Sequence, residues 1–290
     1  MESFSLRLCH LLHCRGAGWK MVYHILKHDP ELKELYSPTF LYQFPELPSS
    51  IIQTLFEDLH SPVLLEQIRH YQQNDIKIIT YFDSAYPELL KETYQPPWVL
   101  YAKGDISLLG KQTKLAVVGS RQATEYGKRA IDRLFPPLIE KGIIIVSGLA
   151  LGVDTLAHEA AIRLGGKTIA VIAGGIYHIY PQTNQKLALN IMKHYLVISE
   201  YPPNTTPSRW QFPMRNRIIS GVSKGTFIIE AKRKSGSLIT ANFAVHEGRE
   251  VFALPGNIFS QHSTGTNDLI QQGAKLVRSH EDILNELFYA

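Results

Sequence analysis

Short runs of β-branched and other apolar residues recur along the second half of the chain, and each run is followed by small or polar residues and then by a helical pattern. The clearest is the Ile-Ile-Ile-Val run at 143–146, which breaks at Ser147-Gly148 and becomes an Ala/Leu-rich helical pattern from Gly152. Such runs are typical of strands that are buried on both faces of a parallel sheet. They predict six strands, at residues 115–118, 143–146, 167–172, 196–199, 226–229 and 250–254.

Helical patterns between these strands predict the connecting helices. The helix at 124–140 contains Pro136-Pro137, and we expect the prolines to kink or split it because proline lacks the backbone donor. Strands that alternate with helices predict an α/β fold with a mostly parallel sheet, helices on both faces and ligand sites at the carboxyl ends of the strands. The other helices of this part are expected at 181–193, 212–221 and 237–247.

The beginning of the chain has the pattern of a small helical module. Residues 5–35 show helical periodicity on both sides of an Arg-Gly-Ala-Gly turn at 15–18, which resembles a helix-hairpin-helix or a sterile-alpha-motif-like bundle. Such a turn either holds a DNA phosphate or only joins two packed helices, and the acidity of this segment favours the second. Further helices are expected from Ser49 or Ser50 to residue 60 and over 62–73.

These patterns divide the chain into three parts. We predict a helical module at 1–74, a connecting segment marked by Pro and Gly at 75–110, and an α/β domain at 111–290. A chain of 290 residues is long enough to bury a large core without disulfides.

Composition adds a location and a class of partner. The two cysteines, Cys9 and Cys14, are not in a CxxC pair, no signal peptide is evident and no apolar run is long enough to span a membrane, so we expect a cytoplasmic protein with reduced thiols. The net charge is −4 over residues 1–110, +5 over 111–208, +6 over 209–249 and −3 over 250–290. A basic middle is either a solvated face or a surface for a partner with many phosphates.

The candidate chemistry lies where the predicted strands end. Glycines there allow a close approach, serines offer hydroxyl groups, and arginines match phosphate oxygens. The aromatic and basic mixture around Phe212 suits single-stranded nucleic acid, although the same pattern also fits a core helix with arginines that reach the surface. Likewise, the Ser-Gly turns could be structural only. The candidate DNA-binding residues are Ser120, Arg121, Ser147, Gly148, Gly174, Gly175, Arg215, Asn216, Arg217, Ser235, Gly236 and Ser237.

No catalytic signature accompanies these residues. Asp154 and His158 are spaced i, i+4, so they share a helical face and could transfer a proton or ligate a metal, but no third ligand is near in sequence. A structural role for both is the simpler interpretation. We therefore predict no catalytic residue, no metal and no cofactor.

Taken together, the motifs resemble those of the DNA-processing protein A family (DprA/Smf). The resemblance extends from about Tyr86 to Arg278, and its many ordered segments make it specific. The matching motifs are Val-Val-Gly-Ser-Arg at 117–121, Ser-Gly-Leu-Ala at 147–150, Gly-Val-Asp-Thr at 152–155, Tyr-Pro at 180–181, Ser-Glu-Tyr-Pro-Pro at 199–203, Arg-Asn-Arg-Ile-Ile-Ser-Gly at 215–221, Ser-Gly-Ser-Leu-Ile-Thr-Ala at 235–241 and Gly-Thr-Asn at 265–267.

The resemblance implies an extended Rossmann-like domain that binds single-stranded DNA and works as a homodimer. In the family, this activity protects incoming DNA and helps to load RecA during natural transformation. Arg121 matches the family's DNA-contacting arginine. The family's lysine after Tyr-Pro is Gln182 here, so that phosphate contact is in question, with Lys186 as a possible replacement. The winged-helix-like domain of some members is not expected, because little chain follows Arg278.

Two further expectations concern an alternative activity and the dimer. Related Rossmann-like proteins of the lysine-decarboxylase-like group cleave nucleotide N-glycosidic bonds with a Pro-Gly-Gly-x-Gly-Thr-x-x-Glu motif, whereas here Glu230 is one residue too far from Gly225-Thr226. We place Leu269 and Ile270 at a two-fold dimer interface, the alternative being burial in their own core.

Overall fold

The computed structural model describes residues 3–37, 39–44 and 48–288. Two compact units divide the chain, the first comprising Met1–Ser84 and Gln95–Tyr101 and the second Ala85–Tyr94 and Ala102–Ala290. The segment at 75–110 is thus shared between the units. The three-part division made from the sequence stays a prediction about independently folding domains.

The first unit contains the expected helical module. Its described helices are α1 (Phe4–His13), α2 (Trp19–His28), α3 (Ser49–Leu59) and α4 (Pro62–Gln73), followed by strand β1 (Lys77–Thr80) and the start of β2 (Val99–Gly104). Arg15, in the turn between α1 and α2, donates to both carboxylate oxygens of Asp58 on α3, with Nη2 at 2.9 Å from Oδ1. The turn therefore joins packed helices, as the acidity of the segment suggested.

The second unit contains a parallel sheet. Seven of its strands follow the order β6-β5-β4-β3-β7-β8-β9, and every neighbouring pair is parallel. This confirms the predicted fold class, and all six predicted strands are present; the short β9 was not predicted. The strands are β3 (Lys114–Val118), β4 (Ile144–Ser147), β5 (Thr168–Val171), β6 (Leu196–Ser199), β7 (Gly225–Ile228), β8 (Glu250–Ala253) and β9 (Lys275–Leu276).

Helices connect these strands, and their apolar faces form the core with the sheet. Phe135 of the first connecting helix packs with Val117 and Phe227 in one buried cluster. The helices are α5 (Glu88–Lys91), α6 (Glu125–Glu140), α7 (Val153–Arg163), α8 (Gln185–His194), α9 (Gln211–Gly221), α10 (Ser237–His246), α11 (Thr264–Gln271) and α12 (Glu281–Phe288).

Helix α6 is continuous through Pro136 and Pro137, so of the two predicted effects, a kink or a split, the split is wrong and the kink stays a prediction. The two prolines remove the backbone donors that would bond to the carbonyls of Asp132 and Arg133, so the helix continues here without those two bonds. The adjoining Leu134, Phe135 and Leu138 are buried. Packing of this apolar face holds the helix together where local propensity would end it.

Two features are absent from the residues that the structure describes. None of the helices there is both long enough and apolar enough to cross a membrane. In the same residues, no group of three or more His, Cys, Asp and Glu side chains is arranged to hold a metal ion.

Candidate nucleic-acid interface

The loops that follow β3, β4 and β7 lie side by side, because these strands are adjacent and parallel in the order β4-β3-β7. A cavity of about 440 Å³ opens between them, and we call it the Arg121 cavity. It collects residues from four of the predicted segments. Its lining is Val118, Gly119, Arg121, Ala150, Asp154, Phe212, Pro213, Arg215, Asn216, Ser235, Gly236, Ser237, Ile239 and Thr240.

Arg121 is held at the mouth of this cavity by its backbone neighbours. The N–H of Ser120 donates to the carbonyl of Glu230 at 2.7 Å, and the carbonyl of Ser120 accepts from the N–H of Val153 at 3.1 Å. Gly152, with φ of +75°, lets its backbone pass against Ser120 and Arg121, where a side chain would collide. The Arg121 side chain is exposed. These contacts therefore fix the backbone of Arg121, and its guanidinium is exposed to solvent.

Aromatic rings lie beside this guanidinium. The Cζ atom of Arg121 is 5.7 Å from the centroid of the Phe212 ring. Phe212 in turn meets Tyr180 edge-on at 5.7 Å between centroids, and Tyr180 is 54% exposed. A smaller cavity of about 40 Å³ is lined by Arg121, Tyr180 and Phe212 among others. Cationic and aromatic groups at one place suit a strand of unpaired bases.

The turn before α10 forms the opposite wall of the Arg121 cavity. Gly236 is the N-cap of α10, and no atom lies near the place where its side chain would be. The hydroxyl oxygens of Ser235 and Ser237 are 2.7 Å apart, and Asn216 Nδ2 donates to the Gly236 carbonyl at 3.3 Å. The N–H groups of Ser237, Leu238 and Ile239 bond to Ser235 and Gly236, so the helix start attracts anions such as phosphate mainly through the positive end of its dipole.

Arg215 lines the cavity but is buried, unlike Arg121. Its Nη1 donates to the carbonyls of Val171, at 2.6 Å, and of Gly148, and its Nε donates to Asn216 Oδ1 at 3.1 Å. Burial lowers the pKa of Arg215 to about 10, which is still far above neutral pH. Its charge therefore adds to the field of the cavity while its donors serve the protein backbone.

Arg217 is not in the cavity. It is buried and donates to the Glu200 carboxylate, whose pKa burial raises. The expectation that Arg217 contacts phosphate from the surface thus conflicts with its position, and the alternative of an arginine in a core helix fits better. Residues two apart on a helix lie on different faces, so Arg215 and Arg217 point in different directions.

Four other candidate residues are also buried. Ser147 Oγ donates to the Val117 carbonyl at 2.6 Å and is fully buried, and a side chain at Gly148 would collide with Arg215. Gly174 and Gly175 are covered by the proline-rich segment at 202–207. These glycines permit close approach as predicted, but the approaching group is the protein's own chain.

Asp154 and His158 have separate structural partners. Asp154 Oδ2 accepts from the N–H groups of Gly148, at 3.1 Å, and Ala150, at 3.3 Å, and burial raises its pKa. His158 Nδ1 is 2.7 Å from Thr168 Oγ1, and burial lowers the pKa of His158 to about 3, with the charge of Arg215 adding to the effect. Both groups organise the ends of strands.

Glu230, the carboxylate compared with the N-glycosidase motif, serves as a helix cap. Its Oε1 accepts from Thr124 Oγ1 at 2.6 Å and its Oε2 from the Thr124 N–H at 2.8 Å. A Cβ at Gly127 would lie 2.6 Å from Oε2, which accounts for the glycine in the first turn of α6. Both carboxylate oxygens thus stabilise the start of α6.

The candidate set omitted the two aromatic residues that accompany Arg121. Tyr180 follows a strand end by a few residues, and Phe212 stands three residues before Arg215. Their position beside the basic motif was the available signal. Gln182, at the position of the family's lysine, and Lys186 are both exposed, and replacement of that phosphate contact by Lys186 stays a prediction.

Comparison with known proteins identifies the family. The model of the DNA recombination-mediator protein A family matches residues 77–288. The chain belongs to this family. It is 44% identical over 274 residues to the DNA processing protein DprA of Bacillus subtilis, covering 88% of this chain and 92% of that protein. It is 48% identical over 204 residues to DprA of Streptococcus pneumoniae, covering 70% of this chain and 72% of that protein.

Two solved structures of the family are similar in fold to this chain. The X-ray structure of DprA from Streptococcus pneumoniae covers all of both chains with a TM-score of 0.89 at 36% identity. A structure of DprA from Helicobacter pylori, which addresses the single-stranded DNA binding mode of that protein, covers 73% of this chain and 95% of that one with a TM-score of 0.66 at 33% identity. The resemblance found in the sequence is therefore confirmed.

Proposed function

We propose that this chain binds single-stranded DNA in the Arg121 cavity. The observation that carries the proposal is the exposed Arg121 guanidinium, which lies 5.7 Å from the Phe212 ring and shares one cavity with the N-terminus of α10. The single-stranded DNA binding mode addressed in the Helicobacter pylori relative supports it.

Each group of the cavity has a role that follows from its chemistry. Arg121 contacts phosphate oxygens through its donors, and the N-terminus of α10 attracts them through the positive end of its dipole. Phe212 and Tyr180 stack on bases, which requires that the bases be unpaired and makes the contact tolerant of sequence. Buried Arg215 contributes charge and keeps the loops in place.

The biological role follows from the family. The protein protects incoming single-stranded DNA and helps to load RecA during natural transformation, and it acts in the cytoplasm as a homodimer without metal, cofactor or catalysis. These assignments extend the DNA-binding proposal through the resemblance, and each is open to separate tests.

The test is the substitution Arg121→Ala. Removing one charged contact weakens binding of an oligothymidylate by roughly tenfold or more in a gel-shift titration. The slope of log affinity against log salt concentration becomes less steep by about 0.7, as expected for one phosphate contact to a single strand.

The matched control is Arg133→Ala. Arg133 is also an exposed arginine, but it lies in the later turns of α6, away from the carboxyl ends of the strands. We expect wild-type affinity for the control and an unchanged unfolding midpoint for both variants. Unchanged affinity of Arg121→Ala would place the DNA elsewhere.

A further inference from the structure

A second cavity lies at the carboxyl end of β8, outside the site proposed above. It has a volume of about 590 Å³, and we call it the β8 cavity. Polar and aromatic groups share its surface, which suits a ligand with both a ring and hydrogen-bonding edges. Its lining is Thr124, Tyr126, Glu230, Pro255, Gly256, Asn257, Ser260 and Ser263.

Strand order places the two cavities next to each other. β8 pairs with β7 in parallel register, with Ile228 opposite Ala253, so the loops that follow both strands emerge at the same edge of the sheet. The loop from Gly119 to Thr124 separates the cavities, because Arg121 lines the first and Thr124 the second. A ligand that crosses this loop passes from one cavity to the other.

The loop after β8 presents two large apolar side chains to water. Phe259 is 89% exposed and Ile258 is 78% exposed, and they lie between Asn257 and Ser260, which line the β8 cavity. Burying such side chains against a partner would be favourable, because apolar area would leave water. The exposed pair is therefore a candidate contact for a partner.

Local hydrogen bonds hold this loop in shape. Asn257 Oδ1 accepts from the N–H of Phe259 at 2.9 Å. Asn267 anchors the start of the loop, because its Oδ1 accepts from the Gly256 N–H at 3.1 Å and its Nδ2 donates to the Gly256 carbonyl at 3.0 Å. The Phe259 ring is therefore presented by a bonded turn.

Positive charge connects the cavities. Lys232 and Lys234 are exposed and follow Glu230, which lines the β8 cavity, whereas Arg233 between them is paired with Asp268 Oδ2 at 2.9 Å. Lys232 Nζ is 3.4 Å from Oε1 of Gln122, the residue after Arg121, so this cation lies against the loop that separates the two cavities. Cations between two surfaces with aromatic groups match the alternation of phosphates and bases along a single strand.

We propose that single-stranded DNA bound in the Arg121 cavity continues past Lys232 to the β8 cavity, beside which the exposed Phe259 stacks on a base. This inference rests on the proposed function. It extends the DNA-binding surface from the loop after β7 to the loop after β8. The ring supplies the stacking surface, and the amide and hydroxyl groups of Asn257, Ser260 and Ser263 meet the polar edges of whichever base is present.

The experiment measures affinity against DNA length. Wild type, Phe259→Ala and Arg121→Ala are each titrated with oligothymidylates from about four to about twenty nucleotides, a range that brackets the usual footprints of single-strand binding folds. We expect Phe259→Ala to match wild type on the shortest oligonucleotides and to bind the longer ones at least about fivefold more weakly, the loss typical of one stacked base. Arg121→Ala loses affinity at every length.

Three further variants identify the contact. Phe259→Trp keeps a stacking ring and retains affinity, and its added fluorescence, measured against wild type, is quenched by long but not by short oligonucleotides. Phe259→Leu keeps apolar area but has no ring, so it behaves like the alanine variant. Tyr94→Ala, which removes an aromatic residue that is 80% exposed elsewhere in the second unit, binds like wild type.

The outcomes separate this inference from the proposed function. If Phe259→Ala equals wild type at all lengths while Arg121→Ala is weakened, the extension is wrong and the main site stands. If Phe259→Ala weakens all lengths equally, or if leucine restores binding, Phe259 is not a separate stacking position. If neither alanine variant changes affinity, the proposed function itself fails.

Discussion

The buried side chain of Arg215 joins the ends of two strands. Its guanidinium donates to the carbonyls of Gly148, just after β4, and Val171, the last residue of β5. A lysine at this position lacks the forked geometry that lets one side chain bond to both carbonyls. A buried guanidinium whose Nη1 and Nε donate within the protein contributes to stability.

We therefore predict that Arg215→Lys lowers the free energy of unfolding by about 3 kcal/mol, because it leaves a buried charge with incomplete partners. Urea denaturation measures this loss. Arg121→Ala, which removes an exposed side chain, serves as the comparison and keeps the wild-type midpoint. Equal midpoints for Arg215→Lys and wild type would contradict the structural role.

His158 makes the protein sensitive to acid. Its pKa is about 3 in the folded protein, below the ordinary value of 6.5 that the unfolded chain keeps. The unfolded state therefore binds the proton first as the pH falls. The contribution of a neutral His158 is complete above pH 6.5 and is lost progressively as the pH falls toward 3.

We predict that wild type loses about 2 kcal/mol more stability between pH 7 and about pH 5 than His158→Asn does, since the pKa difference sets the loss. An asparagine amide can still donate to Thr168 Oγ1 but does not titrate. Urea denaturation at both pH values gives the two differences. Identical losses in both proteins would show that His158 does not titrate on unfolding.

At the scale of elements, the start of α6 shows how a helix end serves the site. Thr124 Oγ1 accepts from the N–H of Tyr126 at 3.2 Å, and Glu230 receives two hydrogen bonds from Thr124. Because Glu230 follows β7, this contact ties α6 to the neighbouring strand and fixes the loop that carries Arg121.

We predict that Thr124→Ala lowers the free energy of unfolding by about 1 kcal/mol, the usual cost of losing an N-cap. Combined with Glu230→Gln, it costs less than the two single changes added together, by at least about 0.5 kcal/mol, because both remove the same contacts. Thermal or urea unfolding of the four proteins measures this coupling. Strict additivity would mean that the two residues act independently.

At the scale of the whole molecule, the homodimer remains a prediction. Leu269 is buried in its own unit, so the alternative noted for it from the sequence holds for that residue, whereas Ile270 of α11 is only half-buried. Leu269 is consequently a poor probe, since a charge there damages the fold directly.

We predict that Ile270→Glu halves the mass measured by light scattering, because a carboxylate is costly to bury in an apolar interface. Leu189→Glu, at an exposed leucine of α8, is the control and keeps the wild-type mass. A dimer that survives Ile270→Glu with its fold intact would remove α11 from the interface.

Hydrophobic patterning was sufficient to predict the fold class and six strands, but not their order in the sheet. All six predicted strands are present, because runs such as 143–146 are apolar on both faces and only a covered parallel sheet buries them. Glycines at strand ends correctly marked places of close approach. Arg121 was identified by its position just after a strand, where the chain must turn outward at the edge of the sheet.

What the sequence by itself determined was the order of elements, the family and the edge of the sheet at which the candidate residues lie. Only the tertiary structure decided which candidates face solvent: Arg121 does, whereas Arg215, Arg217 and Ser147 are buried and Gly174-Gly175 are covered by the segment at 202–207. The physical reason is that local pattern sets which face of a strand or helix is apolar. Whether a polar residue beyond the strand meets water or another loop depends on contacts between residues distant in sequence.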